Sequence, residues 1–344
     1  MSNLCVGGGG DGGTDVPGDN GNCYGTGLAI ACFATPPSGN QTVSQSVVVN
    51  TESSPQCQTL TNSTAWCVIA AQTITINSGV TVAATGMRPL VLVATETLTV
   101  NGLIDVASHR GVSIGPSGDA PGCSEGTPPT GTSGGAGGSF GGMGGNGAGV
   151  GGNAGTAGAT LAPTTLRGGC PGQNGADDTA PGARGHGGGA VYLIANNAIM
   201  IGGVINASGS GGGGGGNSAN AGAGGGGSGG FIGLDAPMIS ASGVIVANAA
   251  GGGEASGAVS TGDFGDDPTL ATAPALGGAG ASTFGTDGGN GAYGTMLGGQ
   301  NAATTCTGTC TTPSAGGGGG GGAGIIKRYR ATSISGGTIS PPPT

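Results

Sequence analysis

Between Gly137 and Gly152 the chain reads GGSFGGMGGNGAGVGG, and similar runs recur until glycine accounts for 88 of 344 residues. Glycine has no side chain to bury and loses more conformational freedom on folding than any other residue. A chain of this kind stays unfolded unless its backbone finds partners of its own. Two features favour order over a solvated linker. Charged residues make up only 7% of the chain, whereas disordered chains usually stay solvated through charge. Apolar runs such as Pro89–Ala94 and Ala190–Ala195 also recur, and an exposed linker has no use for them.

With one Trp, four Tyr and five Phe, a large aromatic core is excluded. Backbone hydrogen bonds, small-residue packing and cross-links must supply much of the stability. A net charge of −9 with only seven Lys and Arg excludes the basic surface that nucleic acids require. No apolar span of about 18 residues is present to form a transmembrane segment.

The nine cysteines include no CxxC pair and only His109 and His186 accompany them, so neither a zinc site nor any other metal or cofactor is expected. Many cysteines in a weakly cored chain read as a disulfide-stapled, exported protein. Proximity suggests Cys23–Cys32, Cys57–Cys67, Cys123–Cys170 and Cys306–Cys310. Cys5 is left over as a free, lipidated or intermolecular thiol.

The strongest organising signal is an internal repeat. PLVLVATETLTVNGLIDVAS (Pro89–Ser108) aligns without gaps on AVYLIANNAIMIGGVINASG (Ala190–Gly209) and again on FIGLDAPMISASGVIVANA (Phe231–Ala249). Gly102, Gly203 and Gly243 coincide, as do Leu98, Ile199 and Ile239, and Ile104, Ile205 and Ile245. A looser copy, Gly324–Ser340, needs a one-residue slip, and Thr73–Ala83 is an earlier partial one. Each copy holds three short strand signals separated by Gly or Asn turns. Three strands per roughly 20 residues is the rung of a parallel β-helix, stable only when rungs stack. An ordinary β-sandwich would use the same strands but would not need the glycine-centred pattern to recur. The fold expected is therefore all-β, a solenoid with almost no α-helix.

Residues 1–22 read as a Gly/Asp-rich leader or spacer, and 23–344 as one solenoid domain with glycine-rich inserts at about 109–189, 210–230 and 250–323. Asp11, Asp15 and Asp19 lack the alternating spacing of a calcium loop. The inserts leave one point of the rung and return at one point. Within them glycine often keeps a three-residue beat, as in Ser133-Gly-Gly, Ala136-Gly-Gly and Met143-Gly-Gly. Polyproline-II geometry has that period, so the beat predicts a polyglycine-II helix bundle, with Phe140 and Met143 as apolar pegs.

CYGTGLAIACF, RPLVLVATETLTVNGLIDVASHRG, LRGGCPGQNG, GHGGGAVYLIA, INASGSGGGGG and the closing GGGGGGGAGIIK with ISPPP resemble a group of glycine-rich, exported or lipid-anchored bacterial surface proteins. That resemblance implies an extracellular or cell-envelope setting and brings no activity with it. The glycine tracts also resemble, in composition, those of polyglycine-II bundle proteins among antifreezes and phage adhesins.

A catalytic site of the polysaccharide-lyase or hydrolase kind would need clustered carboxylates with a basic residue. Glu96, Asp105, His109 and Arg110 lie near one rung, but the later copies place Asn206 and Val246 where Asp105 stands. Asp177-Asp178 and Asp266-Asp267 read as turn residues. No enzyme is expected. Lys327, Arg328 and Arg330 form a candidate interaction patch, or an edge strand guarded by charge. The expected function is a structural or adhesive surface protein that associates with itself as a fibre or surface layer. Alternatives are a flat-face binder of ice or a surface glycan, using Thr73, Thr75, Thr97 and Thr99, and then a carbohydrate-active β-helix enzyme.

Overall fold

The computed structural model describes residues 21–177, 179–216, 220–257, 260–280, 282–306 and 312–344. It is all-β, without a helix among those residues. An antiparallel pair opens the described chain, β1 (Cys23–Tyr24) and β2 (Ala31–Cys32). A partial rung follows, β3 (Asn40–Val43) and β4 (Val47–Asn50). Four full rungs come next. They are β5 (Cys67–Ala71), β6 (Thr73–Ile76) and β7 (Thr81–Thr85), then β8 (Leu90–Ala94), β9 (Thr97–Val100) and β10 (Leu103–Asp105). The third is β11 (Ala190–Ala195), β12 (Ala198–Ile201) and β13 (Val204–Asn206), and the fourth β14 (Phe231–Ala236), β15 (Met238–Ala241) and β16 (Val244–Val246). The last turn holds β17 (Ile325–Arg330) and β18 (Thr338–Ser340).

Each strand of a rung pairs in parallel with its equivalents above and below, giving three stacked sheets in the orders β15-β12-β9-β6-β3, β18-β16-β13-β10-β7-β4 and β17-β14-β11-β8-β5. This is the arrangement of a β-solenoid. Leu98, Ile199 and Ile239 stack in register, as do Ile104, Ile205 and Ile245, and all are buried between the sheets. The rung at Thr73–Ala83 is complete, because Cys67–Ala71 supplies its first strand opposite Leu90–Ala94.

One register departs from the gapless alignment. Phe231 pairs with Ala190 and Ile232 with Val191, although the next strands keep Ala198 opposite Met238. The corner before β15 is Pro237 alone, where the rung below uses Asn196 and Asn197. Side chains alternate faces along a strand, so a one-residue slip decides which of them point inward. The slip keeps Ile232, Leu234 and Ala236 in the inner core above Val191, Leu193 and Ala195.

The strands differ in burial as their sequences imply. TLTV in β9 and TITI in β6 alternate, with one face half-exposed. LVLVA in β8 and AVYLIA in β11 are buried on both faces, as continuous apolar runs of parallel strands generally are. Their outer face packs against Ala29, Ala31 and Phe33 of the opening segment, and against Phe140, Leu166 and Cys170 of the first insert. Phe140 is thus an apolar peg, whereas Met143 is exposed because its segment borders solvent.

The three inserts all begin after a strand of the β4–β18 sheet and end at a strand of the β5–β17 sheet. At that shared corner they bond to one another at every third residue. Gly135 and Gly138 N–H groups donate to the carbonyls of Ala223 and Gly226, both at 2.9 Å. Ala223 and Gly226 donate to Gly316 and Gly319, at 3.0 and 2.9 Å. Gly316 and Gly319 donate back to Thr132 and Gly135, at 2.8 and 2.9 Å. One segment from each insert thereby closes a three-way ring of bonds. The residues between them face other neighbours: Gly318 and Gly321 donate to Gly253 and Ala250, and Gly320 donates to Gln300, all at 2.9 Å.

Such closeness leaves no room for side chains along Gly316–Gly322. A Cβ at Gly318 would lie 2.0 Å from the Gly224 carbonyl oxygen, at Gly320 2.0 Å from that of Asn290, and at Gly321 2.1 Å from that of Gly227. Disulfides join Cys23 to Cys32, Cys57 to Cys67 and Cys123 to Cys170. Cys306 is also disulfide-bonded, while Cys310 and Cys5 lie outside the described residues, as do Asp11, Asp15, Asp19 and Asp178.

The backbone contacts predict a sharp contrast between two substitutions. Gly320→Ala is expected to destabilise the fold by about 3 kcal/mol, because overpacking against backbone cannot relax cheaply. Gly298→Ala, whose Cβ would meet nothing nearer than the Met143 carbonyl oxygen at 3.7 Å, is expected to be near neutral. Denaturant unfolding of both variants measures the difference.

Candidate functional site

Among the described residues, three polar clusters and one open sheet face gather the candidate side chains named from the sequence and their partners. The first cluster lies where the opening segment crosses the outer face of β11, β14 and β17. Asp235 on β14 is fully buried. Its carboxylate accepts from the Thr26 backbone N–H, from Thr26 Oγ1 at 3.0 Å and from Arg330 Nε. Arg330 also donates to the Ala195 and Asp235 carbonyls, both at 2.8 Å. The Tyr192 hydroxyl donates to the Thr26 carbonyl at 2.6 Å, and its ring packs tilted against Tyr329 with centroids 5.4 Å apart. Burial, with the Asp235 charge beside it, pushes the Tyr192 phenol far above the usual tyrosine range. A buried carboxylate holding this many donors is an anchor, and removing one partner of such a pair generally costs several kcal/mol.

This cluster divides the basic residues of the candidate patch. Lys327, Arg328 and Arg330 share β17, but Arg330 is committed to Asp235. Arg328 Nη1 donates to the Pro343 carbonyl at 3.3 Å, and its N–H to the Thr344 carbonyl at 3.1 Å. The Thr344 N–H returns a bond to Ile326 at 2.9 Å, so the segment ending in Thr344 lies along the free edge of β17. Lys327 sits over the Tyr329 ring at 5.4 Å and helps wall an apolar cleft of about 360 Å³ with Leu28, Leu161, Ile325 and Pro341.

The second cluster surrounds the corner where the first insert departs. Asp105 ends β10 and pairs with Asn206, whose Nδ2 donates to Asp105 Oδ1 at 3.2 Å. His109 Nε2 lies 3.0 Å from Asp105 Oδ2. The hydrogen bond to Asp105, aided by the charges of Asp105 and Asp267, raises the His109 pKa against the opposing effect of burial. Arg110 turns the other way, its N–H donating to Asp267 at 3.0 Å and its guanidinium to the Gly265 carbonyl at 2.7 Å, over the Phe264 ring. Glu96 stands apart on the next corner, bonded to Gln72 at 2.8 Å. Of the four residues grouped by sequence, the structure brings only Asp105 and His109 together.

The third cluster carried no local sequence signal. His186 Nδ1 lies 2.7 Å from Asp119 Oδ2, and the Gly187 N–H donates to Asp119 Oδ1 at 2.8 Å. Asp119 adopts the left-handed φ of 55°, which Asp tolerates better than most residues. Asp119 and His186 lie 67 residues apart, so only the folded insert reveals them. Among the described residues no group of three His, Cys, Asp or Glu is placed to hold a metal ion. Nor is any helix there long and apolar enough to cross a membrane.

The open face belongs to the β3–β15 sheet. Thr42, Thr75 and Thr99 stack in register on three successive rungs. Asn40 stands beneath Thr73, and Thr97 follows in the next rung before Ala198. Sequence reading missed Thr42, because β3 lies in a partial rung without the glycine-centred pattern. Above Thr99 the column continues as Met200 and Ser240. Threonine spacing across this face follows the sheet, about 4.8 Å between rungs.

No family model, no curated protein and no solved structure matches this chain.

The His109 pair has a definite pH signature. A raised folded pKa means the pair stabilises the fold fully below the ordinary histidine value of about 6.5, and that contribution is lost as pH rises through the folded pKa. NMR titration is expected to place His109 above its value in unfolded chain, and Asp105→Asn is expected to bring it down.

Proposed function

We propose that this chain is a non-enzymatic structural or adhesive protein of the cell surface or extracellular space, built as a β-solenoid carrying a polyglycine-II bundle and associating with its own copies. The observation that carries the reading is the three-residue step of the inserts' hydrogen bonds. Gly316, Gly319 and Gly322 donate to one neighbour, Gly318, Gly321 and Gly324 to a second, and Gly320 and Ala323 to a third. A threefold extended helix has this property, since successive residues point their N–H groups in three directions. Disulfides agree with an oxidising, extracellular setting, and sparse charge agrees with a surface made for packing.

Self-association is supported by where apolar side chains remain exposed. Val112, Ile114, Met143, Phe264, Leu276, Phe284 and Leu297 are open to solvent in the first and third inserts, while Val48, Met87, Met200 and Met238 are open on the solenoid. Met143 and Leu297 occupy adjacent segments, joined by the Gly299 N–H to Met143 carbonyl bond at 2.9 Å. Contiguous exposed apolar surface commonly marks an interaction face.

Sedimentation across a concentration series tests the reading. The wild-type chain is expected to form higher-order species, and Met143→Ser with Leu297→Ser to weaken them about tenfold, or about 1.4 kcal/mol. Monomers alone at every concentration, by sedimentation and electron microscopy, contradict it.

A second reading follows from the threonine columns. We infer that the flat β3–β15 face is suited to an extended ligand of regular spacing, either ice or a surface glycan. Thr42 lengthens the array to three rungs, which supports this alternative more than the two Thr-x-Thr elements do alone. Ice-crystal shaping and glycan-array binding are the assays. If the face acts, Thr75→Tyr, at its centre, should abolish either activity while leaving the melting temperature within a few degrees, since surface changes cost little.

A further inference from the structure

Arg167 is only 8% exposed, and among the described residues no carboxylate pairs with it. Its guanidinium donates to the carbonyls of Pro121 and Ala120, both at 2.8 Å, and to that of Gly168 at 3.2 Å. It also lies over the Phe140 ring, 5.9 Å from the centroid, and it approaches a disulfide: Nη2 lies 2.9 Å from Cys123 Sγ and 3.7 Å from Cys170 Sγ. A buried cation facing neutral sulfurs is incompletely compensated. Reduction would supply the missing anion, because a thiolate beside a guanidinium is strongly favoured.

Access does not distinguish this bridge from the others. Each of the three described disulfides joins one half-exposed cysteine (Cys23, Cys57 or Cys123) to one buried cysteine (Cys32, Cys67 or Cys170). Among the described residues, the guanidinium is found against Cys123–Cys170 alone. The buried half is also held without the bridge. The Cys170 N–H donates to Ser228 Oγ at 2.8 Å, and the Ser228 N–H donates to the Cys170 carbonyl at 3.0 Å. Breaking the bond would therefore leave Cys170 beside Arg167 rather than release it to solvent.

We propose that Cys123–Cys170 is a thiol-exchange site, at which a low-molecular-weight thiol becomes attached to Cys123 while Arg167 stabilises the departing Cys170 thiolate. The external thiolate attacks Cys123 Sγ, and a new sulfur–sulfur bond forms as the Cys123–Cys170 bond breaks. The bonding pair leaves on Cys170 Sγ, 3.7 Å from Arg167 Nη2. One disulfide replaces another, so no further oxidant or reductant enters. A second thiol can then release the adduct and leave both cysteines reduced. The bridge closes a loop of 47 residues, so exchange also frees the first insert from the constraint that the closed loop imposes.

The test treats the oxidised full-length protein with graded reduced and oxidised glutathione, traps free thiols by alkylation and maps them by mass spectrometry. Cys123 is expected to carry glutathione, and Cys170 to be alkylated, at ratios that leave Cys23–Cys32 and Cys57–Cys67 intact. Arg167→Gln should require about tenfold more reduced glutathione for the same exchange, with Arg167→Lys between the two. A wild-type measurement stands beside these, should Arg167→Gln not fold. The rate of Cys170 alkylation against pH is expected to show a thiolate well below the ordinary cysteine value of about 8.5. Opening of Cys123–Cys170 together with or after the other two bridges overturns the proposal. So does a folded Arg167→Gln variant with unchanged exchange, or a Cys170 that ionises at the ordinary value.

Discussion

The closeness of glycine backbones to one another is the constraint on which the rest of the molecule depends. Along Gly316–Gly322 a single added methyl carbon would overlap a neighbouring carbonyl at every position. Only without side chains can the N–H groups of one segment reach carbonyls on several sides at once. The entropy lost by ordering so much glycine is large. It is offset by these bonds, by the anchoring of both ends of each insert to the same solenoid corner, and by the Cys123–Cys170 bridge.

The sheet beneath the bundle has to suit that arrangement. Because the first insert and the opening segment cover the outer face of β5, β8, β11 and β14, those strands carry apolar residues on both faces. The one carboxylate on that face, Asp235, is answered by donors from two distant parts of the chain, Thr26 and Arg330. The solenoid is thus asymmetric: one sheet is sandwiched, and one presents Thr42, Thr75 and Thr99 to solvent.

Much of this was legible in local patterns. Alternation in TLTV and TITI, against the unbroken LVLVA and AVYLIA, distinguishes half-buried strands from fully buried ones, because side-chain direction reverses at each residue. The recurring glycine at Gly102, Gly203 and Gly243 marks equivalent turns of stacked rungs. Where the pattern misled, a corner was at fault. Pro237 does alone what two asparagines do in the rung below, so a gapless alignment placed β14 one residue out. The His186–Asp119 pair and the Arg167 contact with Cys123 join residues far apart in the chain, and no local spacing encodes them.

By itself the sequence determined that the chain would build short parallel strands in repeating rungs, and that its glycine tracts would branch from one corner. Both follow from periodicities that neighbouring residues impose on each other. Only the tertiary structure decided which glycine segment lies against which, that Arg330 turns to Asp235 instead of joining Lys327 and Arg328 as one patch, and that Thr42 completes a column with Thr75 and Thr99. The physical reason is that a glycine segment has no side chain with which to specify its partner. Its pairing is set by where the solenoid delivers its two ends and by which backbones can then approach closely enough to bond.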